Sequence, residues 1–278
     1  MHSLREHAAR SLASGDTAVL VEVTQASGSV PREAGTRMLV TASRALGSIG
    51  GGHLELQAIA FAREMLNRAD AAPRSQHYPL GPALGQCCGG AVTLGFERLN
   101  TQHLLSWPTT TPRFDLQLYG AGHVGRAIAR LLATLDVSVD WIDERDDEFP
   151  AALIDGGWPA HIRKVAVDGV EGEVRSAPAG AFYLVLTHRH DLDLRITEAV
   201  LRRGDFGFLG LIGSRTKRQR FVHRFEQLGI AAEMIERMTC PIGLPGIDGK
   251  EPEVIAVSVV AQLLALDAKD PRREGGRR

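Results

Sequence analysis

The chain has 278 residues, 44% hydrophobic and 23% charged, the proportions of an ordinary globular protein near the size at which one core gives way to two. With 32 basic against 33 acidic residues its formal net charge is −1, so electrostatics gives no case for nucleic acid as the main partner. No apolar run approaches the roughly 18 residues that span a bilayer, Met1–His7 lacks an apolar signal core, and three cysteines make no disulfide framework; the expectation is a cytoplasmic protein without a membrane partner.

In chain order, Leu4–Ala13 carries apolar residues at helical spacing, and Ala18–Thr24 and Arg37–Thr41 read as strands rich in β-branched residues. Between them Ser27–Met38 is a polar loop whose Arg32, Glu33 and Arg37 suit either an anionic small molecule or a surface turn held by an ion pair. Ser48–His53 is a glycine-rich turn leading into a helix over Leu54–Arg68, and Ala91–Phe96 is a further strand. Two prolines and three threonines in Ser106–Arg113 mark a boundary. After it strands (Phe114–Tyr119, Val137–Ile142, Phe182–Thr187, Phe208–Ile212) alternate with helices (Val124–Leu135, Ile196–Arg203, Lys217–Leu228, Val254–Leu266). Alternation of this kind predicts a parallel sheet with helices on both faces. The fold expected is α/β: an N-terminal mixed α/β domain over 1–105, then a Rossmann-like, doubly wound parallel-sheet domain over 114–268.

Gly120-Ala-Gly122-His-Val-Gly125 fits G-x-G-x-x-G between a strand and a helix. That turn needs glycine for tightness, for close approach to a phosphate and for helix–sheet packing, and the helix start offers free N–H groups to an anion. Asp143 ends the next strand, where an acid takes a ribose diol. The loop reads as a nucleotide- or phosphate-binding site, or as an inherited turn without a ligand.

His188, His190, Asp191 and Asp193 follow a strand on the sheet edge where ligands bind, and are candidates for acid–base chemistry or for a hydrogen-bonded turn. Gly213-Ser-Arg-Thr-Lys217 opens a helix in which Ser214 reads as the N-cap, with Arg215 and Lys217 adding charge for an anion. Cys87 and Cys88 sit among glycines, which favours a ligand or reactive role over core filling. Zinc is a weaker rival, because no C-x-x-C pair exists and His53, His77 and Cys240 are scattered. Cys240–Gly246, with two prolines and two glycines, reads as an irregular loop.

Together these pieces resemble the XdhC-type xanthine dehydrogenase accessory family, related to the CoxI-type accessory proteins. The matching segments are Ser29–Met38, Ser48–Glu55, Leu84–Gly90, Gly120–Gly125, Thr187–Asp193, Leu211–Lys217, Cys240–Gly246 and Gly249–Ala256, in family order. His53 resembles the XdhC branch, since CoxI-type members often carry Cys there. The resemblance implies a chaperone rather than a catalyst, acting in purine catabolism. It would bind the mature molybdenum cofactor (molybdopterin) as cargo, assist its sulfuration and deliver it to the molybdenum subunit of xanthine dehydrogenase. A cysteine desulfurase-type sulfur donor is the second implied partner, and a homodimer stays open. On this reading Cys87 and Cys88 are transient molybdenum ligands, soft thiolates for a soft metal. The other cofactor-binding candidates are His53, Arg37, Gly120, Gly122, Gly125, Asp143, His188, His190, Ser214, Arg215 and Lys217. The alternatives are an NAD(P)-dependent oxidoreductase using the Rossmann domain and a zinc-dependent hydrolase or zinc-binding module.

Overall fold

The computed structural model describes residues 2–68, 70, 72–80, 89–107, 111–154 and 157–268. The chain divides into two units, Met1–Thr109 and Thr110–Arg278.

The first unit runs α1 (His2–Ser14), β1 (Ala18–Ser27), β2 (Arg37–Thr41), β3 (Ala45–Gly47), α2 (Gly52–Asn67), β4 (Arg74–Pro79), β5 (Ala91–Arg98) and α3 (Thr101–Leu105). Its five strands form one antiparallel sheet in the order β3-β2-β1-β5-β4. The period of two along β1 sorts its side chains. Val19, Val21 and Val23 enter a core with Leu54, Ala58, Ala62 and Met65 of α2. Ala18 and Leu20 face the opposite way, toward Leu4 and Ala8 of α1 and Trp107. Strands β3 and β4 escape the sequence pattern for different reasons. The first is three residues long, and the second, Arg-Ser-Gln-His-Tyr-Pro, is an edge strand in which only Tyr78 is buried.

The second unit runs β6 (Asp115–Tyr119), α4 (His123–Leu132), β7 (Ser138–Asp143), a 3-10 turn (Asp146–Glu148), β8 (Ile162–Ala166), a 3-10 helix (Val170–Ser176), β9 (Phe182–Val185), α5 (His190–Arg203), β10 (Phe208–Leu211), α6 (Arg215–Gln227), α7 (Ala232–Glu236), β11 (Met238–Thr239) and α8 (Pro252–Asp267). The six strands are parallel, in the order β11-β10-β9-β6-β7-β8. Counted from β6 and read from the other edge this is 3-2-1-4-5-6, the order of a dinucleotide-type Rossmann sheet. One core joins the sheet to Ile128 and Leu132 of α4 and Val259 and Leu263 of α8. A second, on the other face, joins it to Ile196 and Val200 of α5 and Phe221 and Phe225 of α6. Helices thus cover both faces, as the alternating pattern predicts. Between β8 and β9 the crossover is the 3-10 helix, with Val170 and Val174 buried, where a full α-helix is usual. Helix α5 starts at His190, six residues before the first residue expected from its apolar spacing, so the His188–Asp193 cluster straddles a helix start.

Candidate functional site

The sheet order reverses between β6 and β9, and the loops after these strands border the crevice where open α/β sheets bind ligands. The three glycines of the first loop play separate roles. Gly120 has φ 118° and no room for a side chain, since a Cβ there would lie 2.3 Å from the Leu186 carbonyl oxygen. A Cβ on Gly125 would lie 2.0 Å from the Gly120 carbonyl oxygen, so this glycine lets α4 pack on the turn. Gly122 faces open space and is the N-cap of α4, with no side chain capping the helix. Its surroundings fit close approach by a ligand.

Asp143 is buried, and its carboxylate is engaged by the protein itself. Oδ2 accepts from the Ala121 N–H at 2.6 Å and from Arg145 Nη2 at 3.0 Å; Oδ1 accepts from the Arg145 backbone N–H at 2.9 Å and from Arg145 Nε at 3.0 Å. Four bonds fill the acceptor capacity of a carboxylate. Burial by itself raises this carboxyl, but the hydrogen bonds from Arg145 and Ala121 outweigh it and hold the group below its ordinary value. The geometry therefore gives Asp143 a different part from the one its position in the sequence suggests: it braces the glycine loop, and no acceptor site is left for a ribose diol. Arg145 in turn pairs with Glu148 at 3.0 Å.

The loops after β9 and β10 and the first turns of α5 and α6 border an open cavity of about 250 Å³ lined by Thr187, His188, His190, Asp193, Gly213 and Lys217, with Ile212 and Ser214 completing its wall. Its floor is an ion pair. Lys217 Nζ lies 2.5 Å from Asp193 Oδ2 and donates to the Ile212 carbonyl at 2.8 Å. Asp193 Oδ1 accepts from Thr187 Oγ1 at 2.7 Å and from the Thr187 N–H at 3.0 Å. Lys217 is thus neutralised rather than free to meet an anion, a correction to the role expected of it. Ser214 does cap α6, accepting from the Lys217 N–H at 3.2 Å. Arg215 is exposed at the first position of α6, and His188 and His190 are exposed at the mouth. His188 Nε2 lies 3.5 Å from Glu144 Oε1, which also meets Arg189. The Cys240 thiol lies 3.8 Å from the Ser214 carbonyl oxygen, and burial pushes it up.

In the first unit three of the motifs meet at one end of the antiparallel sheet. Gly90 packs against the Ser27 and Ser29 carbonyls, where a Cβ would lie at 2.4 and 2.5 Å, and Gly50 packs against Pro31. Leu80 donates to the Gly90 carbonyl at 2.8 Å, closing the connection between β4 and β5. Cys87 and Cys88 belong to that connection but lie outside the described residues. Gly50, Gly51 and Gly52 all have positive φ. The anion position of this turn is taken by Glu55, whose Oε2 accepts from Ser48 Oγ, the Ile49 N–H and the Gly51 N–H at 2.6, 3.1 and 3.0 Å. His53 is exposed and hydrogen-bonded to Gln57 at 3.0 Å. Arg37 is turned inward, 2.7 Å from Glu22 and stacked 4.8 Å from the centre of the Trp107 ring, which makes it a brace of the sheet rather than a grip on a small anion. Thr187, Arg145 and Glu144 entered the site unforeseen; an Arg two residues beyond the strand-end acid was the available signal for the second.

A six-stranded Rossmann sheet with a glycine loop and a cavity on its C-terminal edge, preceded by an antiparallel-sheet unit, defines a two-unit α/β protein of Rossmann type. Within that class the chain belongs to the XdhC and CoxI family: residues 116–263 match the XdhC Rossmann domain and residues 11–79 the XdhC and CoxI family. It is 30% identical over 261 residues to the uncharacterized protein YqeB of Escherichia coli (strain K12). The match covers 91% of this chain and 44% of that relative, so the chain spans less than half the relative's length. A crystal structure of a xanthine dehydrogenase from Bacillus halodurans shares the fold, with a TM-score of 0.72 at 19% identity over 98% of this chain and 97% of that one.

Proposed function

We propose that this protein is an accessory factor of xanthine dehydrogenase that carries the molybdenum cofactor, supports its sulfuration and hands it to the enzyme's molybdenum subunit. The observation that carries the reading is the contrast between the two helix starts on the Rossmann edge. At the glycine loop the strand-end acid of a dinucleotide site is saturated by Arg145 and Ala121. At α6 a helix start capped by Ser214 and the two histidines line an open cavity, and exposed Arg215 follows the cap on the same helix. A helix start carries partial positive charge, and a phosphate monoester such as that of a pterin cargo is the matching ligand. Lys217 and Asp193 set the floor of the cavity, Ser214 orders the helix start, and Arg215, His188 and His190 are the groups placed to meet the cargo. Gly122 leaves room for the ring system along the neighbouring crevice. Cys87 and Cys88 supply the soft donors for molybdenum.

The same contrast argues against a nicotinamide-dependent oxidoreductase, whose ribose needs an acceptor that Asp143 does not offer. The deciding experiment is metal and pterin analysis of the protein purified from a molybdenum-replete host. The expected result is bound molybdopterin, no turnover of xanthine by the isolated protein, and activation of apo xanthine dehydrogenase. A stoichiometric dinucleotide, or steady NAD reduction scaling with this protein, overturns the reading in favour of the oxidoreductase; stoichiometric zinc favours the zinc module.

A further inference from the structure

Helix α6 is charged in a way that folding does not ask for. Its thirteen residues, Arg-Thr-Lys-Arg-Gln-Arg-Phe-Val-His-Arg-Phe-Glu-Gln, hold five Arg or Lys and a single acid, Glu226, with no acid in the first turn. Cations at a helix start oppose the macrodipole, and like charges one turn apart repel; each works against the helix. Arg215 and Arg218 are three residues apart, Arg220 and Arg224 four. Lys217 alone has a carboxylate partner, Asp193. Among the described residues no carboxylate pairs with Arg215, Arg218, Arg220 or Arg224; Arg224 meets only the Gln227 amide, at 3.3 Å. Phe221 and Phe225 anchor the opposite side of the helix in the core, so Gln219, Arg220, His223, Arg224, Glu226 and Gln227 form an outward face, on which the one acid, Glu226, lies 3.9 Å from His223 and leaves Arg220 and Arg224 without a carboxylate.

The cavity lies at the start of the same helix, whose cap, Ser214, and third residue, Lys217, line it. We propose that the outer face of α6 is the docking surface for an acidic patch on the protein that receives the cargo. The inference rests on the transfer role proposed above. Carboxylates of a partner supply the counter-charges that this chain withholds, and they bring the acceptor to the rim of the site from which cargo leaves. Interfacial charges that lie outside the buried centre act on association rate and on partner choice. Nucleic acid is the poorer occupant: the chain carries net charge −1, and the face offers no aromatic platform for bases.

The test uses the full chain with Arg220→Glu and Arg224→Glu combined, and a second version with Gln at both positions. Neither residue lines the cavity, so bound pterin per chain should equal that of the parent. Association with the apo molybdenum subunit is measured directly, with and without cargo, between about 0.02 and 0.2 M salt, a range over which screening of exposed charges changes strongly. The parent's association rate should fall with salt. The Glu pair should lower it about tenfold or more at low salt and flatten the salt dependence, with the Gln pair between the two. Equal association by parent and variants, or a parent rate indifferent to salt, overturns the docking face. So does loss of binding to a DNA duplex with subunit association unchanged, which assigns the charge to nucleic acid. A parent that docks in a salt-dependent, Arg220- and Arg224-dependent way but carries no pterin retains the docking face and removes the cargo role.

Discussion

Lys217 reaches back over the start of its own helix to place Nζ 2.5 Å from Asp193 Oδ2, joining the first turns of α5 and α6 by a buried ion pair. Gly213 permits it: a Cβ there would lie 2.5 Å from Lys217 Cδ. The Asp193 side chain is 2% exposed and that of Lys217 10%, so neither partner can turn to water when the other is removed.

Lys217→Met therefore leaves a carboxylate buried without a counter-charge, at a cost of roughly 3–5 kcal/mol. Adding Asp193→Asn should recover part of that loss, because the unpaired charge goes with it. Urea unfolding of the two single variants and the double variant measures the coupling. Strict additivity would show that the pair does not interact.

The glycines of the 120–125 loop should separate cleanly into packing and access. Gly125→Ala forces a Cβ to 2.0 Å from the Gly120 carbonyl oxygen and 3.3 Å from Leu186 Cδ1, and should destabilise by about 2 kcal/mol or more. Gly122→Ala meets nothing within 4 Å and adopts ordinary extended backbone, so its stability should change by less than about 0.5 kcal/mol. Gly122→Val, equally folded by circular dichroism, should retain less pterin per chain. Unchanged retention takes the crevice beside this loop out of the cargo site.

Asp143 predicts an acid limb in the stability profile. A carboxyl held lower in the folded than in the unfolded state adds stability in full above its unfolded value, about 3.9, and loses it as pH falls through the folded value. Asp143→Asn should thus weaken the protein at neutral pH and make its decline on acidification shallower. Urea midpoints at a series of pH values from about 7 down to 3 read both effects. Parallel profiles for variant and parent would show that the carboxylate bears no part of the acid sensitivity.

Arg37 and the paired cysteines should respond in opposite ways. Arg37→Met removes the Glu22 ion pair and part of the Trp107 stack, and should lower the stability of the first unit with pterin content unchanged. Cys87→Ser and Cys88→Ser exchange a soft donor for a hard one at nearly constant size. They should lower pterin retention and apo-enzyme activation, most strongly when combined. A double variant that carries and delivers cargo as the parent does would move the molybdenum contact to the region of His53.

The sequence by itself determined the order and class of four strands and four helices in the second unit, because strand, glycine turn and amphipathic helix each leave a local pattern with its own period. Residues 116–142 show this most clearly, with β6, the 120–125 turn, α4 and β7 all legible from spacing and turn chemistry. It missed Arg74–Pro79 and Ile162–Ala166, short strands whose apolar residues are too few to set a period, and it began α5 late because the polar first turn of that helix carries no apolar stripe. Local pattern also named the residues of the site without their allegiances. Whether Asp143 meets a ribose or the Ala121 amide, and whether Lys217 meets a phosphate or Asp193, depends on partners 22 and 24 residues away. Those choices belong to the tertiary structure, since an ionised group shut away from water must bind whatever counter-charge the packing brings within reach.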